Sequence, residues 1–179
     1  MKKILIFAIL CFSVFSKDIQ MEVKEDVLNK FLVTAGSFSG ENKINLKVGK
    51  VNVNWKVYDA KIKLAPTSNF NAKIDIITNG KTQKGTVEGK MKFQYLPKTQ
   101  ILKINVEDMK IKNLGVYNAL SLYKPKYDLP LKMIQMDKIE VKKNSSKKVF
   151  LQPIMYDSKV TILEKKVLVE SNVKFVEAK

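Results

Sequence analysis

Ser121-Leu122-Tyr123-Lys124 has the Ser-x-x-Lys spacing in which a lysine amine helps to activate a serine hydroxyl for acyl transfer. The spacing carries no weight here. Beyond the first sixteen residues the chain has eight serines, and with lysine at nearly one position in five, about 1.5 such matches arise by chance. Three are present, the others starting at Ser145 and Ser171. Lys81-Thr82-Gln83 and Lys98-Thr99-Gln100 both lack the glycine of the partner motif. Glu25-Asp26 and Glu107-Asp108 are adjacent carboxylates, yet neighbours in sequence diverge on a helix or strand, so neither pair makes an acid/base dyad. No run supplies the spaced oxygen ligands and glycine turn of a calcium loop.

Composition removes further classes. The 179 residues include 33 lysines, no arginine, no histidine and 17 acids, for a net charge of +16. Without imidazole there is no Ser-His-Asp triad, His metal site or near-neutral His switch, and Cys11 alone makes neither a zinc cluster nor a disulfide. The expectation is a protein that is not an enzyme and uses no cofactor or metal. With 45% hydrophobic and 28% charged residues it should fold as one domain, burying roughly 70% of its unfolded surface.

The elements that position any site begin after an address label. Met1-Lys2-Lys3 followed by the apolar run Ile4 to Phe15 reads as a secretory signal peptide, too short for a membrane span of about 20 residues, with cleavage after Ser16. Residues 17–179 then form a periplasmic or secreted domain. Lipidation at Cys11 is the competing reading; the bulky Ile9 and Leu10 ahead of it argue against it. The mature chain keeps 31 lysines against 17 acids, a net charge of +14.

Val23, Val27, Leu28, Phe31 and Leu32 recur at helical spacing, which predicts an amphipathic helix over Met21 to Gly36, with Gly36 as its stop. From Lys43 the period becomes two, the grammar of strands, with slips of parity at Gly49-Lys50, Tyr58-Asp59 and Glu107-Asp108. Asn79-Gly80 is a hairpin signal, and Leu96-Pro97-Lys98-Thr99 turns the chain again. Asn113 to Gln135 predicts a second helix, interrupted at Pro125 and resumed with Asp128 as cap. Strand spacing returns after Ile139. The fold class expected is α+β, a strongly bent antiparallel sheet around two helices.

On that frame the apolar phase of the meander, Trp55, Phe70, Ile74, Met91, Phe93, Ile104 and Val106, meets Val27 and Phe31 of the first helix and Leu120 of the second. These residues form a candidate groove for a lipid or other hydrophobic ligand, each buried CH2 being worth about 0.8 kcal/mol. An ordinary packed core gives the same pattern. Lysines occupy the polar phase. Lys61, Lys63, Lys90 and Lys92 are candidate contacts to an anionic membrane surface, the alternative being plain solubilisation. Nucleic acid is a poor partner for a chain without arginine.

Met21-Glu-Val-Lys-Glu-Asp-Val-Leu-Asn-Lys-Phe-Leu32, and Lys90 to Leu114 around Tyr95-Leu96-Pro97, resemble the YceB-like exported bacterial proteins of the tubular lipid-binding (TULIP) superfamily. The likeness covers about a fifth of the chain. It implies a long, bent antiparallel sheet wrapped around a helix, with a tubular apolar cavity. The sequence departs from that pattern in lacking a Ser or Thr cap near Val23, in Pro125 and Pro130, and in the strand-rich tail after Ile139. The resulting expectation is an exported carrier or binder of a hydrophobic ligand. Its rivals are an envelope interaction module with a packed core, and a lipopolysaccharide-transport jelly roll.

Overall fold

A computed structural model describes residues 17–46, 49–64, 67–134, 137–142 and 148–178, so the expected signal peptide and its Cys11 lie outside the described residues. Alternating apolar and polar side chains build most of it. Strands β2 (Phe38–Leu46), β3 (Gly49–Lys63), β4 (Asn69–Thr78), β5 (Lys81–Leu96) and β6 (Ile101–Lys112) form an antiparallel meander, and β7 (Lys126–Pro130) adds a sixth strand beside β6. A second, four-stranded sheet has the order β1-β10-β9-β8, from β1 (Ile19–Lys24), β8 (Ile139–Lys142), β9 (Lys148–Leu163) and β10 (Lys166–Glu177). Between β1 and β2 lies α1, Glu25–Ala35. Among the described residues no helix is long and apolar enough to cross a membrane.

Local chemistry sets the turns and bends. Asn79 and Gly80 take φ of 47° and 74°, the paired positive values of a two-residue hairpin whose twist matches its strands. Of the expected slips, those at Tyr58-Asp59 and Glu107-Asp108 are bulges, whereas Gly49 opens β3 opposite Leu46 of β2. The β3–β4 register shifts between Tyr58 and Lys61, and the β5–β6 register between Glu88 and Lys90. Asp59 and Asp108 sit there at φ of 52° and 50°, a region that Asp enters more readily than most residues. The result is a curled sheet whose inner, apolar face is continuous from Val53 on β3 to Val106 on β6.

The expected α+β class is corrected: strands make up 69% of the described residues, in two curled antiparallel sheets with one α-helix among those residues. Helix α1 starts at Glu25, not Met21, because Met21 and Val23 are strand residues paired with Val169 and Val167 of β10. No local signal names a partner at the far end of the chain. Gly36 does end the helix, at φ 80° with its N–H donating to the Leu32 carbonyl. The second helix does not form. Gly115–Ala119 is a single 3-10 turn, and Asp128, expected as a helix cap, lies in β7 opposite Lys103. Prolines at 125 and 130 lack the N–H groups a helix needs, while the open edge of β6 accepts a short extended partner.

Candidate functional site

The curled sheet has two faces of opposite chemistry. Its inner face is roofed by three pieces. Helix α1 crosses beside β3, buries Leu28 and Leu32, and turns Glu25 and Asn29 towards the strand. The β2 ladder ends at Phe38 opposite Val57, leaving the far half of β3 without a neighbour on that side. Asn29 takes the place of one. Its amide donates to the Ile62 carbonyl (3.1 Å) and its carbonyl oxygen accepts the Ile62 N–H (2.7 Å), while Glu25 Oε2 accepts the N–H of Leu64 (2.7 Å).

The irregular segment after β6 is the second piece. Leu114, Tyr117, Leu120 and Leu122 are buried, Tyr117 shares a 3.1 Å hydrogen bond with Thr78, and the Ser121 carbonyl accepts from Asn42 (3.2 Å). Asn42 in turn accepts the Trp55 indole N–H at 2.6 Å. Opposite Trp55 stands Gly40, where a Cβ would lie 2.4 Å from the indole, so the ring fits because that residue has no side chain. The four-stranded sheet is the third piece, with Tyr95 donating to Met155 Sδ at 3.6 Å. Burial pushes the Tyr95 phenol up to about 12, since ionising it would place a charge among apolar neighbours.

The candidate groove residues are distributed as follows. Trp55, Phe70, Ile74, Met91, Ile104, Val106 and Leu120 come together in one core, each no more than 7% exposed. Phe31 and Phe93 pack half-buried at its margin, where the Phe31 ring meets Tyr127 edge-on at 6.0 Å. Val27 is 49% exposed and stands outside it. Open clefts include one of about 590 Å³ beside α1, with Asn29, Val33 and Ala60, and one of about 620 Å³ that adjoins the Glu164–Lys165 turn. Ser121 and Lys124 are both exposed, and no hydrogen bond joins them among the described residues.

The outer face carries the lysines in rungs. Strand pairing sets Lys63, Asn69, Lys90 and Glu107 in one line across β3 to β6, and Lys61, Asn71, Glu88 and Lys110 in the next. Further along, Lys56, Asp75 and Lys84 align, and beyond the β5–β6 bulge Lys92, Asn105 and Lys126 do so. Some of this charge is neutralised. Lys73 pairs with Asp59 (2.8 Å), Lys92 with Glu107 (2.8 Å), Lys112 with Glu88 (3.7 Å) and Lys90 with Asp108 (3.9 Å). Hydrogen bonds to those carboxylates hold the Lys73 and Lys92 ammonium groups above their ordinary range. Of the four lysines expected to meet an anionic surface, Lys61 and Lys63 are exposed without a carboxylate within 4 Å among the described residues, whereas Lys90 and Lys92 are engaged. Lys56, a polar-phase strand lysine, shares that face and is exposed, as are Lys84, Lys110 and Lys126, which sequence reading missed. Strand parity signalled Lys84 and Lys110, whereas Lys126 fell in the segment expected to hold the second helix.

No protein-family model, curated protein or solved structure matches this chain. The reading of its function therefore rests on the two sheet faces.

Proposed function

We propose that this is an exported, non-enzymatic binding module of the cell envelope, whose working surface is the outer face of the six-stranded sheet and whose partner is anionic. One observation carries the reading: Lys56, Lys61, Lys63, Lys84, Lys110 and Lys126 share that face with no carboxylate within 4 Å among the described residues, while most of the acids there are already held by other lysines. Export is supported by the charged and apolar leader, Met1 to Phe15. Retention on dextran sulfate tests the proposal. A K56Q/K61Q/K63Q/K110Q variant should elute at clearly lower salt than the parent, and a K30Q/K98Q/K132Q/K159Q variant, with the same charge removed elsewhere, should elute close to it. Equal loss in both variants would mean that net charge, not this face, does the binding.

A second reading is a carrier of a hydrophobic or lipid ligand, favoured by the seam at which Phe31, Phe93 and Tyr127 lie half-buried between α1 and the sheet. The core beneath is closed, so a ligand would enter by displacing α1. Native mass spectrometry and lipid extraction of protein purified from its own envelope check this. Acyl species that co-purify and are lost from an F93W variant of near-parental stability support a carrier. Ligand-free protein, with an I104W variant destabilised by about 1–3 kcal/mol, supports the packed module.

A further inference from the structure

The shape of the charge on the outer face narrows its partner. The unpaired lysines are spread in two dimensions: Lys56, Lys61 and Lys63 along β3, Lys84 on β5 and Lys110 on β6, with β4 between. A linear polyanion is held best by a groove that follows one line of charge, but here the positive sites lie in rows and columns on an exposed strand surface. Each side chain ends in an ammonium, a point charge that suits diffuse attraction rather than the bidentate grip of a guanidinium on one phosphate. Between them stand Asn, Thr and Gln together with Asp75, Glu88 and Glu107, and the larger apolar groups of the same parity are few, namely Tyr58, the 40% exposed Ile77, Leu96 and Ile101. That composition offers little to insert among acyl chains. Bulge aspartates tie down Lys73 and Lys90, so the unpaired charge is left on Lys56, Lys61 and Lys63 of β3, Lys84 of β5 and Lys110 of β6.

Resting on the anionic-partner reading above, we infer that the outer face of β3 to β6 docks on the headgroup plane of an anionic lipid bilayer, peripherally and by electrostatics alone. Basic residues near a negatively charged bilayer each add to the attraction, and the effect decays within a Debye length.

Co-sedimentation of the mature protein with vesicles tests this. Vesicles of equimolar phosphatidylglycerol and phosphatidylcholine should bind the protein, vesicles of phosphatidylcholine alone should not, and about 1 M salt, where the Debye length falls to about 3 Å, should release it. The K56Q/K61Q/K63Q/K110Q variant, checked for a parental melting curve, should partition roughly tenfold or more weakly, while K30Q/K98Q/K132Q/K159Q binds close to the parent. Equal binding by the two variants, binding to phosphatidylcholine alone, or binding that survives high salt would overturn the inference. Retention on dextran sulfate without vesicle binding would overturn it and leave the anionic-partner reading standing. Failure on both would sink the two together.

Discussion

Asn29 is the residue on which the fit of α1 depends most visibly. Its side chain gives and accepts one hydrogen bond with the backbone of Ile62, replacing the strand that β3 lacks there. Asn29→Ala leaves a part-buried N–H and C=O without partners, so unfolding in urea should show a loss of about 1–3 kcal/mol with an unchanged m-value. A loss below about 0.5 kcal/mol would mean that water serves the strand edge equally well. Tyr95 makes a pH-dependent contribution. Its phenol ionises at about 12 in the folded protein against an ordinary 10.0, so the folded state disfavours the charged form. The associated stability is complete below pH 10 and is lost as pH rises from 10 towards 12. Lysines titrate in the same range in any variant, so the informative quantity is a difference: Tyr95→Phe should fall less steeply than the parent above pH 10 in urea unfolding. Little of this was legible beforehand. Asn29 reads as one polar position on an amphipathic helix, and only the missing β2 neighbour of Ile62 gives it a task.

At the scale of elements, the strands of the meander could be read because each has one buried and one wet face, and parity registers every bulge. Asn79-Gly80 and Gly36 declared their turn and stop through the positive φ they must adopt. Elements defined by distant partners could not be read. Val23 fits a helical stripe with Val27 as well as it fits a strand with Met21, and only β10, at the other end of the chain, decides between them. Tyr127 and Leu129 likewise become strand residues because β6 offers an edge. The shortened helix changes which side chains matter. Leu28 and Leu32 are 0% and 2% exposed, so replacing either by Ala should cost about 2–5 kcal/mol, whereas Val27→Ala, at a 49% exposed site, should stay within about 0.5 kcal/mol. Thermal or urea melts of the three variants check this. A large loss from Val27→Ala would place the helix face differently from the structure described.

Across the whole molecule, two sheets and a helix meet at one node. Lys165 of the β9–β10 turn donates to the Leu64 carbonyl at 3.3 Å, its own carbonyl accepts the Glu25 N–H at 2.9 Å, and Glu25 takes the N–H of Leu64. Apolar side chains gather inside this frame, and the unpaired lysines of the outer sheet face look away from it. Composition disclosed the excess of positive charge and strand parity the side of the sheet it occupies. Which lysines are neutralised depends on the register that sets Asp59 beside Lys73 and Asp108 beside Lys90; parity marks the bulges but not those partners. Lysine footprinting tests the central claim most directly: brief acetylation of the protein, with and without an anionic probe such as dextran sulfate, read residue by residue by mass spectrometry. Protection concentrated at Lys56, Lys61, Lys63 and Lys110, with Lys30, Lys98, Lys132 and Lys159 modified as fast as in the free protein, is the result predicted. Uniform protection, or protection confined to the second group, would contradict it.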